Sequence, residues 1–546
     1  MSLYLPWGGT GDSRLVLADE FDEMFPLAPR TVDWFRANTL GRRRGAGIDF
    51  FAGGGGFSIG AVLAGLGLEL AGNHWVRSYE THSLNFPGTE HVIGDLSVVN
   101  PKRYRRGMAN ILICSPECRL HSNARNHVEA VAELSVFNPN RESERSRCTM
   151  WCPQRFAAWM KFDYVICENV VEVGRWNRID DWAREWDLLG YHVDVLCANS
   201  AFFGNEQSRD RAFFVMTRKG LQRPNLDFRP PTYCWSCEKV TPGVQTWKRA
   251  ARERAKPWGP MGKWGPRNQW QYTCETCHDV VSPYILPACR AIDWSIEAPA
   301  IGDRQRLGLD PLVPKTMRRL ELAMTRVGHV EQLAVISGRD PETQRSRPVW
   351  LPAMTQTGRQ ELGLFGPPRE HSLVYLRNNV RPTSVSGDPA LSLTASGNHH
   401  GLFGTPHGHP VDALIAAYNG SGHNARSVEA PAATLVGTDR LSLLVPVGGT
   451  RQTTPVSISE NPAPTRMTRD THAVVEPRKG FDIRDATFRM ISPREAVRLM
   501  GIHERPDGTP YVVVGNGRDT VRQAGNAVVA ILGANVIDRC LTAQGA

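Results

Sequence analysis

A chain of 546 residues with 41% hydrophobic side chains can bury a large core, and its length predicts roughly two to four domains. Twelve cysteines spread over that length favour reduced thiols and metal binding and exclude a small disulfide framework. The net charge of +9 and isoelectric point near 9.0 favour a polyanionic partner. The opening MSLYLPWGGTGDSRL has no basic-then-apolar signal, and no uninterrupted apolar run reaches ~18 residues. The expectation is therefore a soluble intracellular protein with no membrane span.

In chain order, residues 1–44 contain a predicted helix around Thr31 to Leu40 and then Arg42-Arg43-Arg44, with no role assigned. Residues 45–220 alternate apolar strands with helical stretches. This pattern predicts an α/β fold, a doubly wound sheet with its ligand at the carboxyl ends of the strands. Within it, IDFFAGGGGFSIG (Ile48 to Gly60) reads as strand, tight turn and helix. Such a turn lets backbone approach a nucleoside cofactor, and the following helix N-terminus adds a favourable dipole; it serves equally as a packing device. Cys118, in ILICSPECRLHSNA, and Glu168, in a Glu-Asn-Val, pair a thiol on one turn with a carboxylate on another. That combination suggests covalent catalysis on a ring, although a lone cysteine is more often a small buried hydrophobe.

Residues 221–285 carry Cys234-x-x-Cys237 and Cys274-x-x-Cys277, whose spacing matches a tetrahedral structural Zn2+ site in a ribbon. Between the pairs lies TWKRAARERAKPWGPMGKWGPRNQW, rich in Arg, Lys and Trp. It is either a surface for phosphates and bases or a solvated face. Cys148 and Cys152 form a looser pair, to which no metal is assigned. Residues 286–480 repeat Pro352-Ala353-Met354-Thr355 as Pro389-Ala390-Leu391-Ser392, Pro431-Ala432-Ala433-Thr434 and Pro462-Ala463-Pro464-Thr465. Each repeat is followed by an apolar pair, and LVYLRNN and LIAAYNG precede two of them, so short strands and Pro-fixed turns are predicted. Residues 481–546 return to the first domain through a helix in RMISPREAVRLMGI.

Seven segments from Ile48 to Val528 together resemble the cytosine-5 DNA methyltransferases, in the family's own order. Asp49-Phe50-Phe51-Ala52-Gly53 with Gly55-Gly56 is similar to the S-adenosylmethionine loop, and Gly94-Asp95 to the adenine-contacting acid. Cys118 falls at the nucleophile, Glu168-Asn169-Val170 at the Glu-Asn-Val signature, and Gln207-x-Arg209-x-Arg211 at the motif that helps hold the target base and catalytic loop. Arg494 to Gly501 resembles the penultimate motif and Gln523 to Val528 the last, whose Asn526 returns to the cofactor pocket.

The resemblance implies catalysis by Cys118, Glu168, Arg209 and Arg211. It implies S-adenosyl-L-methionine held by Phe51, Gly53, Gly55, Gly56, Asn73, His74, Asp95, Ser115 and Asn526. It also implies double-stranded DNA with a flipped cytosine as substrate, residues 286–480 as the target-recognition region, and a monomeric cytoplasmic modification enzyme of prokaryotic or phage type. RNA cytosine and a silent DNA-binding homologue remain the alternatives. The chain departs from the family at Glu117 and Glu206, where prolines are usual, and at Asn73, where glutamate is usual. A carboxylate beside Cys118 raises the thiol pKa unless a cation such as Arg119 offsets it.

Overall fold

The computed structural model describes residues 25–116, 149–327, most of 332–366 and 482–545, together with the backbone of short strands elsewhere. The N-terminal strands β1 (Leu3–Pro6) and β2 (Val16–Leu17) pair antiparallel. Helix α1 (Val32–Asn38) begins where the Thr31 hydroxyl accepts from the Trp34 amide, and it buries Phe35. This side-chain cap satisfies an amide that would otherwise lack a partner, and it sets the start of the helix predicted over Thr31 to Leu40.

The chain then alternates through β3 (Gly45–Phe50), α2 (Gly56–Leu63), β4 (Leu66–Asn73), α3 (Val76–Asn85), β5 (Glu90–Ile93) and β6 (Ile111–Cys114). It continues through α4 (Cys152–Met160), β7 (Tyr164–Asn169), α5 (Ile179–Leu188), β8 (Tyr191–Asn199) and β9 (Asp210–Arg218). These strands form one seven-stranded sheet of order β5-β4-β3-β6-β7-β9-β8. All pairs are parallel except those of β9, which runs antiparallel to β7 and β8. β6 and β7 are buried along their whole length, as the run Ile111-Leu112-Ile113 requires of strands covered on both faces. One face packs Phe57 and Ile531; the other packs Phe156, Trp182 and Trp186. Strand order reverses between β3 and β6, which opens a crevice at their carboxyl ends.

Strands β10 (Pro231–Cys234) and β11 (Lys239–Trp247), the short helix α6 (Arg249–Glu253), β12 (Trp270–Cys274) and β13 (Val280–Ile285) form a small antiparallel unit. β10 also pairs with β13, closing the four strands, and β1 adds to the outside of β13. Residues 1–44, given no role from sequence, thus contribute a strand to this unit. Between the cysteine pairs, where a nucleic-acid surface and a solvated face were both open, three tryptophans turn inward. Trp270 and Trp258 are buried, Trp258 stacks edge-on to Phe214, and Trp264 packs on Phe202. An indole has a large apolar area, and these three bury theirs within the unit or against the seven-stranded sheet; Arg249, on α6, is 88% exposed.

Beyond this unit, helix α7 (Pro314–Val327) buries Leu320 and Ala323 in a cluster with Phe365 and Phe488. The repeat pattern gave no sign of this helix. Strands β14 (Gln332–Val335), β15 (Ser346–Pro348) and β16 (Leu362–Gly366) are followed by the short strands β17 (Ser372–Tyr375), β18 (Thr383–Ser384), β19 (His400–Phe403) and β20 (Leu414–Ala416). Then come β21 (Ala425–Ser427), β22 (Leu444–Pro446), β23 (His472–Val474) and β24 (Thr487–Met490). β17 and β20 fall in LVYLRNN and LIAAYNG, and Leu364-Phe365 and Leu402-Phe403 lie in β16 and β19. β24 pairs with β16 and completes a sheet of order β15-β14-β16-β24, so the return near Phe481 first passes through this second sheet.

The C-terminal helices α8 (Pro493–Arg498) and α9 (Gly517–Asn526) each begin with a capping box, Ser492 with Glu495 and Asn516 with Asp519. Helix α10 (Ala530–Ala543) lies against α2 so closely that a Cβ on Gly60 would sit 2.5 Å from the Ala530 carbonyl. Among the described residues, Gly517–Ala543 alone has the length and mean hydropathy of a membrane span, and 89% of its most apolar stretch is buried in the protein core.

Candidate active site and thiol cluster

The carboxyl ends of four adjacent parallel strands, β5, β4, β3 and β6, bring Asp95, Asn73, Phe51 and Ser115 to one edge of the sheet. The loop after β3 carries Phe51 at φ +60°, Gly53 at +57° and Gly55 at +81°. Left-handed backbone explains the glycines. Space explains them further: a Cβ on Gly55 would lie 2.3 Å from the Tyr511 hydroxyl, and one on Gly56 would lie 2.1 Å from the Val528 carbonyl. The Tyr511 hydroxyl donates to the Gly54 carbonyl at 2.6 Å, and the Ser115 hydroxyl to that of Phe51 at 3.2 Å. The Asn73 side-chain oxygen accepts from the Trp75 amide, and an Asp95 carboxylate oxygen from that of Ser97. His74, Asp95 and Asn526, the last residue of α9, are exposed. A glycine cradle shaped by close backbone, with an amide and a carboxylate on neighbouring strand ends, fits a nucleoside cofactor.

Beneath this loop runs a chain that the sequence did not reveal. The Ser58 hydroxyl donates to Asp49 at 2.6 Å and lies 2.8 Å from Nε2 of His82, whose Nδ1 lies 2.8 Å from Nε2 of His91. Burial pushes the Asp49 carboxyl up to about 7, against the Ser58 hydrogen bond. Burial, and the neighbouring His91, push His82 down to about 3. No local spacing links these residues, since β3, α2, α3 and β5 each supply one.

At the end of β7, Glu168 is paired with Arg211 of β9, Nε to Oε1 at 2.6 Å, both side chains being about 10% exposed. Asn169 reaches back to β6's exit, its amide 3.5 Å from the Pro116 carbonyl. Cys118 and Glu117 lie outside the described residues, as does Cys148. Burial raises the Cys114 thiol well above its ordinary value and pushes Cys197 and Cys289 up to about 12, making these three poor nucleophiles. Arg209 is brought not to Glu168 but to backbone carbonyls, Gln356 at 2.9 Å and Gly525 at 2.8 Å. It therefore ties the start of β9 to residues 356 and 525. Glu206, which stands where the related motif has proline, is buried, 3.2 Å from His503 and 3.9 Å from Arg290.

The sulfurs of Cys234, Cys237, Cys274 and Cys277 all lie within 4.8 Å of one another, with Cys234 to Cys277 at 3.4 Å and Cys237 to Cys274 at 3.9 Å. A tetrahedron with zinc–sulfur bonds of about 2.3 Å has edges of about 3.8 Å, so the donor set fits such an ion.

Residues 45–245 match the family described as C-5 cytosine-specific DNA methylase. The match takes in 201 of the 546 residues, 245 minus 45 plus one, a little over a third of the chain. The chain is similar to the type II methyltransferase M.DdeI of Desulfomicrobium norvegicum, 27% identical over 194 residues, which are 34% of this chain and 43% of that protein. The chain thus spans less than half the length of that relative. Among solved structures, it is similar to the Entamoeba histolytica methyltransferase EhMeth at 9% identity, covering 92% of this chain and 98% of that one, with a TM-score of 0.42. For the S. pombe Dnmt2 methyltransferase the figures are 10%, 92%, 99% and 0.41.

Proposed function

We propose that this chain transfers a methyl group from S-adenosyl-L-methionine to carbon 5 of a cytosine flipped out of duplex DNA. The observation that carries the reading is the Glu168–Arg211 pair, held at 2.6 Å beside the exit of β6 that leads towards Cys118. Carbon 5 of cytosine is a poor nucleophile. The Cys118 thiolate adds to carbon 6 and makes carbon 5 enamine-like, while Glu168, as the protonated acid, donates its proton to ring nitrogen 3 and so neutralises the charge that develops on the ring. Arg211 fixes the Glu168 side chain for that contact. When bound, the sulfonium of S-adenosyl-L-methionine supplies the methyl group. A base then removes the carbon-5 proton, and the Cys118 thiolate leaves as the ring regains its aromaticity. Asn73 is suited to donate to a ribose hydroxyl, its oxygen being occupied by Trp75. The four cysteines would hold one structural zinc, because the proposed chemistry requires no open metal position.

The test is methyl transfer from tritiated cofactor to unmethylated DNA and, separately, to RNA. It is coupled with capture of a covalent adduct on DNA containing 5-fluorocytosine, which has no carbon-5 proton to lose. Label in DNA with a trapped adduct is the expected result; label only in RNA reassigns the substrate, and label in neither rejects the activity.

A further inference from the structure

Consecutive residues of the thiol-bearing unit grip both catalytic motifs at once. Lys263 Nζ lies 2.5 Å from the Glu172 carboxylate, in the 3-10 turn Val171–Arg175 that directly follows Glu168-Asn169-Val170. The next residue, Trp264, donates its amide to Asp210 Oδ1 at 3.0 Å. Asp210 stands between Arg209 and Arg211, accepts from the Asn199 amide at 3.2 Å, and offers its carbonyl to Arg211 Nη1 at 2.8 Å. The Trp264 ring packs on Phe202, with ring centroids 4.8 Å apart.

The gripping segment is itself held on both sides. The Lys263 amide donates to the Gln269 side chain at 2.9 Å, the Lys263 carbonyl accepts from the Gln269 amide at 3.1 Å, and the Trp270 indole donates to the Gly262 carbonyl at 3.0 Å. Trp270 opens β12, whose last residue is the cluster cysteine Cys274. One continuous strand therefore runs from the sulfur cluster to the grip. A salt bridge at a surface contributes little stability, but a contact that fixes the position of a reacting group acts through geometry, where small displacements are costly.

We infer that Lys263 and Trp264 are positioning residues that hold Glu168 and Arg211 in register through Glu172 and Asp210, so that the unit around the four cysteines braces the reaction centre. The inference rests on the proposed roles of Glu168 and Arg211. It is tested by hydrogen–deuterium exchange of residues 169–175 and 208–212, and by steady-state transfer from tritiated S-adenosyl-L-methionine to unmethylated DNA of mixed sequence. The proteins compared are wild type, Lys263→Met, Lys263→Arg and Glu172→Gln. In Lys263→Met, exchange is expected to rise in both segments together while α10 is unchanged. Its kcat should fall about tenfold with KM for the cofactor within about twofold, and Lys263→Arg should restore both. Glu172→Gln, which removes the same pair from the sheet side, should reproduce the effect if the thiol-bearing unit remains folded. Unchanged exchange in both segments overturns the brace, as does an effect of Lys263→Met that Glu172→Gln does not share. Coupled exchange in a wild-type protein that transfers no methyl group would uphold the brace and reject the catalytic reading.

Discussion

The seven-stranded sheet and the four-stranded thiol unit differ in how much of their order comes from apolar burial. The sheet buries continuous apolar strands between two helical layers, with Trp182, Trp186, Phe57 and Phe213 fully enclosed, in a large core that runs on into Trp270, Tyr272 and Ile285 of the thiol unit. The thiol unit is small, and its Trp258 packs on Phe214 of β9 and its Trp264 on Phe202 of the turn between β8 and β9. From within it is ordered by a few buried side chains, Trp270, Tyr272 and Ile285 among them, and by the sulfur cluster, since small units with few core residues depend on covalent or metal staples. A region with many core residues tolerates the loss of one site, whereas a small region with few depends more heavily on its staple.

The comparison can be broken most sharply at Cys118. Cys118→Ser should lower methyl transfer by roughly three orders of magnitude or more, because an alcohol at neutral pH does not supply the anion a thiol does. Cofactor affinity by calorimetry should stay within about threefold, since the cradle lies on other residues. Retained turnover would reject the covalent route.

The same comparison is sharpened on the other side by replacing Cys234 and Cys237 with serine. Elemental analysis should show the loss of about one zinc per chain. Thermal unfolding should gain an early transition for the thiol unit while the sheet retains cofactor binding and weakens in DNA binding. A wild-type protein without zinc under non-chelating conditions would refute the site.

The smallest effect is expected at the junction, where Glu206 meets His503 and Arg290. Burial opposes both charges. Nevertheless, the His503 and Arg290 charges hold the Glu206 carboxyl below its ordinary value, and Glu206 holds His503 above its own against burial and the repulsion of Arg498 and Arg290. The raised His503 contributes stability below its unfolded pKa and loses it as pH rises through its folded one; the depressed Glu206 loses its share as pH falls through its folded pKa. The gap in Tm between wild type and His503→Ala should therefore be widest in mildly acidic buffer and close above neutrality. His503 is 40% exposed, and solvent screening limits the widest gap to about 2–4 °C. A gap independent of pH would rule out the ion pair as its source.

Much of the sheet was legible because its signals are local. The turn after Asp49 needs glycine within a few residues, Thr31 caps its own helix, and two Cys-x-x-Cys pairs carry their geometry in their spacing. What escaped depends on distant partners. Leu5 lies opposite Ile285, and nothing in either segment announces the other. Arg209 and Arg211 sit two residues apart in one motif, yet one binds carbonyls at residues 356 and 525 and the other a carboxylate at 168. Their difference lies in what folds back onto them. The tryptophans between the cysteine pairs left two readings open for a related reason, since an aromatic residue in a basic segment has the same letters whether it faces a base or a phenylalanine.

The fit of Gly56 beneath the Val528 carbonyl also has a temporal side. A ribosome that has just made Gly56 must add 472 more residues, 528 minus 56, before the other wall of the cradle exists. At about 5–20 residues per second this takes roughly 25–95 s. During that interval the nascent chain carries its glycine loop without the surface that shapes it, so the cradle is completed only late in synthesis.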